Sequence, residues 1–336
     1  MIPVPDASHI GEARRAVAML SGRIGLDENA AGRVAIVATE LATNVAKHGN
    51  GGDLLARAIE NDTGIELIAV DKGRGIADIS QAMRDGFSSG GTSGHGLGAI
   101  ERMSDLFDIY SPPGQGTVVV SRMLQLRAGT AGRGPADTLD LGVVCVAAPN
   151  ERLSGDAWIV FDGERGPAMA IIDGLGHGEA AHEASQLGLE ICRRHAGSPP
   201  TTLMALMHAG LRPTRGAAAA IAELDVSTRT VRLSGLGNIS CSVVSPEGSK
   251  SLASMSGIVG HQGRRIQEFS TPFAPAATLV MYSDGIASRW RLDQYSGLRA
   301  RHPAVGAGAV YRDQLRGRDD ATIVVARLKR SAIEAV

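Results

Sequence analysis

The sequence predicts an α+β chain of two sandwiches in tandem: a mixed sheet with helices on one face, then two sheets covered by helices. Three observations lead there. The 336 residues suit two domains, each able to bury its own core. The stretch RAGTAGRGPADTLD at 127–140 holds Gly, Pro, Ala and small polar residues without apolar period, as linkers do. Long helical periods and paired strands precede it, whereas short strands dominate after it. The expected domains are therefore 1–126 and 141–330.

Before the linker, 10–24 reads as a helix. A stronger one runs over 29–48, with Val34, Val37, Leu41, Val45 and His48 at spacings of three and four forming one apolar stripe. Gly49 and Asn50-Gly51-Gly52 end it. Strands at 54–60 and 65–70 pair across the turn signal Asn61-Asp62-Thr63-Gly64. A helix starts near Leu97, and strands at 106–111 and 117–123 flank a Pro/Gly turn. After the linker, strands are expected at 142–147, 157–162, 168–172, 217–224, 230–236, 240–244, 278–282 and 322–328. Helices fit 179–195, 201–211 and 304–315.

Composition excludes several function classes. With net charge −1 and 3% aromatic residues there is neither the electrostatic footprint nor the stacking rings that nucleic acid requires. The three cysteines, Cys145, Cys192 and Cys241, lack zinc-like spacing and read as reduced thiols. No basic start followed by an apolar stretch suggests a signal peptide, and nowhere do about 18 apolar residues run together as a membrane helix needs. A cytoplasmic protein is expected.

Three segments before the linker form one constellation. Glu40 and Asn44 stand one turn apart on the strong helix, on a face offset from the apolar stripe. A carboxamide can ligate Mg²⁺ while the neighbouring carboxylate orients or deprotonates an attacking hydroxyl. Asp71, ending an apolar strand and followed by Gly73 and Gly75, can accept a hydrogen bond from an exocyclic amine such as adenine's. GGTSGHGLG, spanning 90–98, leads into a helix whose free amides can bind phosphate. In this order and spacing the segments resemble the GHKL ATPase superfamily, with its Bergerat α/β sandwich, over roughly 13–123. ELATNVAKHG, DKGRGIADISQAMRDGFSSGG, GHGLGAIERMSDLFDIYS and GQGTVV look closest to the RsbT-type serine kinases of bacterial partner-switching systems. The resemblance implies ATP and Mg²⁺ as cofactors, Glu40 as catalytic base and Asn44 as Mg²⁺ ligand. It implies that Asp71 holds adenine, Gly73 and Gly75 shape its pocket, Gly94, Gly96 and Gly98 cradle phosphates, and Thr117 touches adenine's side. A short lid over 76–94 is expected to order on ATP.

After the linker, four aspartate segments sit beside small residues at strand ends or turns: Ser154-Gly155-Asp156, Asp173-Gly174-Leu175-Gly176-His177-Gly178, Ser283-Asp284-Gly285 and Asp319-Asp320-Ala321-Thr322. Mg²⁺ and Mn²⁺ want carboxylate and carbonyl oxygens, and two such ions roughly 4 Å apart can bind a phosphate and lower the pKa of a shared water. DGLGHG, MYSDGI and RDDATIVV in this order resemble the PPM-type serine/threonine phosphatases of the SpoIIE/RsbX branch, an α-β-β-α sandwich, over about 141–328. The resemblance implies two Mn²⁺ or Mg²⁺ ions. Asp173 would bridge both, the Gly174 carbonyl would bind one, Asp284 and Asp319 would complete the other, and Asp156 would act through water. Asp320 is the alternative to Asp319. His177 is a proton donor, part of the metal pocket or an orienting group. The phosphate-binding arginine of the eukaryotic branch has no evident match.

Together the resemblances imply a bifunctional regulator of a partner-switching or stressosome pathway. Its expected partners are STAS-domain proteins, with a sigma factor or another regulator downstream. The alternative is an N-terminal nucleotide-dependent anti-sigma clamp, with catalysis confined to the phosphatase.

Overall fold

The computed structural model describes residues 1–59, 64–84, 96–125, 138–261 and 265–329. Contacts within the chain define two compact units. One is Met1–Ala131 with Ala300–Arg312; the other is Gly132–Arg299 with Asp313–Val336. Most of the expected linker lies outside the described residues. No helix among the described residues is long and apolar enough to cross a membrane.

The first unit contains β1 (Ile2–Val4), α1 (Ile10–Arg23), α2 (Glu28–His48), β2 (Gly52–Ala58), β3 (Gly64–Asp71), α3 (Ile79–Ala82), α4 (Gly96–Met103), β4 (Leu106–Tyr110) and β5 (Thr117–Leu124). Its antiparallel sheet has the order β1-β2-β3-β5-β4. Asp27 caps α2 by accepting from the Ala30 amide at 2.8 Å, and Lys47 and His48 occupy the last turn, where the helix dipole favours cations. The buried stripe of α2 ends at Val45; His48, expected on it, is exposed because the helix terminates there. Leu41 and its neighbours pack on Leu54, Ile65, Leu67, Ala69, Val119 and Met123, one face of the sheet.

The opposite face is buried too, which corrects the expectation of helices on one face only. Ile68, Val70 and Val118 point there, and the helix α7 (Pro303–Gln314) lies against them. A Cβ at Gly308 would stand 2.8 Å from Val118 and 2.9 Å from Ile68, so this glycine sets the approach of helix to sheet. Burial on both faces explains why β3 reads as a near-continuous apolar run. Its one interior charge, Glu66, is clamped between Arg57 and Arg122 on the neighbouring strands, at 2.7 and 2.5 Å.

The second unit contains β6 (Leu139–Val146), β7 (Asp156–Asp162), β8 (Pro167–Gly174), α5 (Glu179–Arg194), α6 (Pro200–Gly210), β9 (Ala217–Asp225), β10 (Thr230–Leu236), β11 (Ser240–Ser245), β12 (Gly248–Leu252), β13 (Glu268–Pro272), β14 (Thr278–Tyr282) and β15 (Ala321–Leu328). Two antiparallel sheets, β13-β10-β9-β8-β7 and β12-β11-β14-β15-β6, face each other across Met169, Ile171, Leu233, Val243, Met281 and Val324. Ala170, Ile172 and Ile221, on the other face of the first sheet, pack under α5 and α6 through Leu189, Leu203 and Met207. Three strands had no signal in the sequence: β1, β12 and β13. All are sheet edges, where one side needs no ladder partner and alternation is not enforced, so IPV, GSKSL and EFSTP suffice.

Candidate functional sites

In the first unit α2, β3, β5 and α4 enclose a cavity of about 610 Å³ whose lining includes Glu40, Asn44, Asp71, Gly75, Gly96 and Thr117. Helical spacing puts Glu40 and Asn44 side by side over the N-terminus of α4. A Cβ on Gly96 would lie 3.5 Å from Asn44 Oδ1 and 3.6 Å from Glu40 Oε2. Asn44 Nδ2 is buried and has no hydrogen-bond partner among the described residues, as suits a side chain that completes its bonding with a ligand.

Asp71, at the end of β3, accepts from the amides of Gly73 at 2.8 Å and Thr117 at 3.2 Å, both on Oδ1. Burial raises its pKa, opposed by those two amides and the Arg312 charge. Gly75 has φ +70°, and a Cβ there would meet the Pro112 carbonyl at 2.3 Å, so only glycine makes this turn. Thr117 Oγ1 lies 2.8 Å from Ser111 Oγ, which accepts from the Ile76 amide at 2.8 Å. Ser111, absent from the sequence reading, thus ties the strap after Gly75 to the cavity wall. Gly98 is buried in α4 and does not line the cavity, whereas Gly94 falls outside the described residues.

In the second unit antiparallel pairing sets Asp156 directly opposite Asp173 on β7 and β8. Asp284 follows β14 and Asp319 precedes β15, which pairs with it. Register thus pairs Asp156 with Asp173 on one sheet, Asp284 and Asp319 flank paired strands of the other, and the charges of Asp284 and Asp319 act on Asp173. Burial pushes the Asp173 pKa up to about 9, and the charges of Asp156, Asp284, Asp319 and Asp320 add to it. Burial likewise pushes Asp156 to about 7. Asp156 Oδ2 accepts from Ser283 Oγ at 2.5 Å, while its buried Oδ1 lacks a partner among the described residues. Such an uncompensated cluster fits cations. Among the described residues no three acidic, His or Cys side chains converge closely enough to hold one ion by themselves.

Asp320 is buried and accepts from the Ala148 amide at 2.8 Å, whereas Asp319 stays partly exposed, with Oδ1 accepting from the Asp320 amide at 2.9 Å. Asp284 Oδ2 accepts from Asn238 Nδ2 at 2.8 Å. A Cβ at Gly174 would stand 2.1 Å from the Ala181 carbonyl, so α5 packs directly onto the backbone at the end of β8. His177 Nδ1 lies 2.6 Å from Glu151 Oε1 at an exposed position. Asn238 and Glu151 escaped the sequence reading, and Ser283 was named only as the neighbour of Asp284, because each acts through a partner distant in sequence.

A family model described as histidine kinase-like ATPase domain matches residues 4–123, and one described as stage II sporulation protein E (SpoIIE) matches residues 163–329. The serine/threonine-protein kinase RsbT of Bacillus subtilis (strain 168) is 35% identical over 89 residues, covering 26% of this chain and 67% of RsbT. The phosphoserine phosphatase RsbX of the same organism is 20% identical over 135 residues, covering 40% of this chain and 68% of RsbX. A structure described in work on the bacterial stressosome, as a modular system adapted to control secondary messenger signalling, superposes with a TM-score of 0.52 at 25% identity, covering 56% of this chain and 99% of its own. RsbX in complex with magnesium superposes with a TM-score of 0.51 at 18% identity, covering 57% and 96%, and supports the fold. By its N-terminal unit the chain belongs to the RsbT-like branch of the histidine kinase-like ATPases, and it joins to this a PPM-type protein phosphatase domain of the SpoIIE kind.

Proposed function

We propose that the chain sets the phosphorylation state of partner proteins from both directions. The first unit transfers phosphate from ATP to a serine or threonine; the second removes it by metal-dependent hydrolysis. The observation that carries this is that each unit holds its own convergent phosphate-handling set. Glu40 and Asn44 meet the N-terminus of α4 at one cavity, and four carboxylates crowd a separate site.

At the cavity Asp71 receives adenine's amino group on Oδ2, and the α4 N-terminus receives phosphate oxygens. Asn44 holds Mg²⁺, and Glu40, beside it, takes the proton of the attacking hydroxyl. At the carboxylate site Asp173, the Gly174 carbonyl, Asp284 and Asp319 would hold two Mg²⁺ or Mn²⁺ ions, and Asp156 would act through water. The ions supply charge neutralisation and Lewis acidity. Ser283 and Asn238 fix the carboxylates they touch. The partners are STAS-domain proteins of a partner-switching or stressosome system, a reading supported by the RsbT, RsbX and stressosome relatives.

Radiolabelled ATP with a co-encoded STAS-domain protein tests this. Label that accumulates in Asp173→Asn, is fainter in wild type and is absent in Glu40→Ala reveals both activities. Absence of label in every form overturns the kinase half and leaves a nucleotide-dependent clamp.

A further inference from the structure

The carboxylate site of the second unit holds anions that repel phosphate, and ions alone position a phosphoryl group weakly in angle. A planar guanidinium would complete recognition. The structure offers one. The turn before β9 is stitched to the metal loop: the Leu175 amide donates to the Gly216 carbonyl at 3.0 Å, and Gly174 pairs with Ala217. Arg215 stands in this turn. Its Nη1 lies 3.3 Å from the point a Cβ of Gly176 would occupy, so the guanidinium lies over the loop in space left by the missing side chain.

The turn itself is rigid. Thr214 Oγ1 donates to the Leu211 carbonyl at 2.7 Å and accepts from the Gly216 amide at 3.0 Å, and His261 Nε2 lies 3.0 Å from the Thr214 carbonyl. Arg215 is exposed, and among the described residues no hydrogen bond or ion pair engages its guanidinium. Three other arginines of the unit are engaged by carboxylates: Arg232 by three glutamates, Arg194 by Glu190 and Arg291 by Asp293. Arg316, another cation near the carboxylates, acts on Asp284. A rigidly based guanidinium with all its donors available, set on the loop that carries Asp173, is placed for a dianionic ligand.

We propose that Arg215 binds the phosphate group of the phosphatase substrate. The proposal rests on the phosphatase reading and adds the residue that recognises the phosphoryl oxygens. No bond is made or broken by Arg215; its N–H groups donate to non-bridging oxygens and orient the ester for hydrolysis.

The full chain with Mn²⁺ is assayed with para-nitrophenyl phosphate, which isolates the phosphate from protein docking, and with inorganic phosphate as competitor. Arg215→Ala is expected to raise KM and the phosphate inhibition constant together by about ten- to a hundred-fold, the scale of a lost charge-assisted contact, with kcat changed less. Arg215→Lys should recover part of this. The Mn²⁺ activation constant and the effect of Arg212→Ala, an exposed neighbour, should stay at wild-type values. Unchanged phosphate inhibition in Arg215→Ala, or its loss in Arg316→Ala instead, overturns the proposal. An inactive wild-type chain would count against the phosphatase reading itself.

Discussion

The phenol of Tyr311 donates to Asp53 Oδ2 at 3.0 Å, joining α7 to β2 across a separation of 258 residues. Burial raises the pKa of the carboxyl and the phenol alike, and the hydrogen bond opposes that rise at Asp53. The segment is fastened at its other end too. Asp108 on β4 accepts from the His302 amide at 2.6 Å and from Arg301 at 3.2 Å. A segment that follows the phosphatase motif at Asp284 in sequence thus completes the core of the nucleotide-binding unit.

Removing this segment should expose Ile68, Val70 and Val118. A fragment of residues 1–126 is expected to be aggregation-prone or to unfold at markedly lower urea than the same unit in the whole chain. A peptide of residues 300–314 added in trans should restore the transition. In the whole chain Tyr311→Phe should cost about 1–3 kcal/mol in urea unfolding, because Asp53 loses its donor. A fragment as stable as the intact unit would refute the role given to α7.

Glu66 supplies a pH dependence. Its burial raises the carboxyl pKa, but Arg57 and Arg122 outweigh it and hold the group below its ordinary value. A carboxylate depressed on folding contributes stability that is complete above its unfolded pKa of about 4.3 and is lost as pH falls through the folded value. Glu66→Gln should therefore cost at least about 2 kcal/mol near neutrality, because the buried carboxylate that both arginines meet is gone. The difference from wild type should narrow below about pH 4 in chemical unfolding. A gap that stayed constant down to pH 3 would sink the account.

At the cavity, Asp71→Asn presents a donor or a rotated amide where the proposed function puts adenine's amino group. ATP affinity measured by calorimetry is expected to fall about ten- to a hundred-fold, while Glu40→Ala binds ATP within about threefold of wild type and fails in transfer. Equal affinities for wild type and Asp71→Asn would place the base elsewhere.

At the carboxylate site charge crowding opposes folding until cations arrive. In EDTA at pH 8, Asp173→Asn should melt above wild type, since burial raises the Asp173 pKa, so that wild type must take up a proton there to fold and the amide need not. With Mn²⁺ the order should reverse: a hundredfold excess over Kd stabilises wild type by about 2.7 kcal/mol and the variant far less. A variant less stable than wild type in EDTA would show that Asp173 serves as scaffolding.

Local chemistry carried the sequence reading where periodicity or residue type decides the outcome. The period of α2 put Glu40 beside Asn44, apolar runs ended at Asp71 and ahead of Asp284, and small residues beside each aspartate marked the turns that gather them. Edge strands such as β12, the exposure of His48, the anchoring of Asp320 on the Ala148 amide and the seat of Arg215 over Gly176 had no such signature. The helix at α7 was legible, but its covering of a sheet about two hundred residues earlier, which makes β3 buried on both faces, was not. Periodicity states which side of an element is apolar; only the folded chain decides what lies against it.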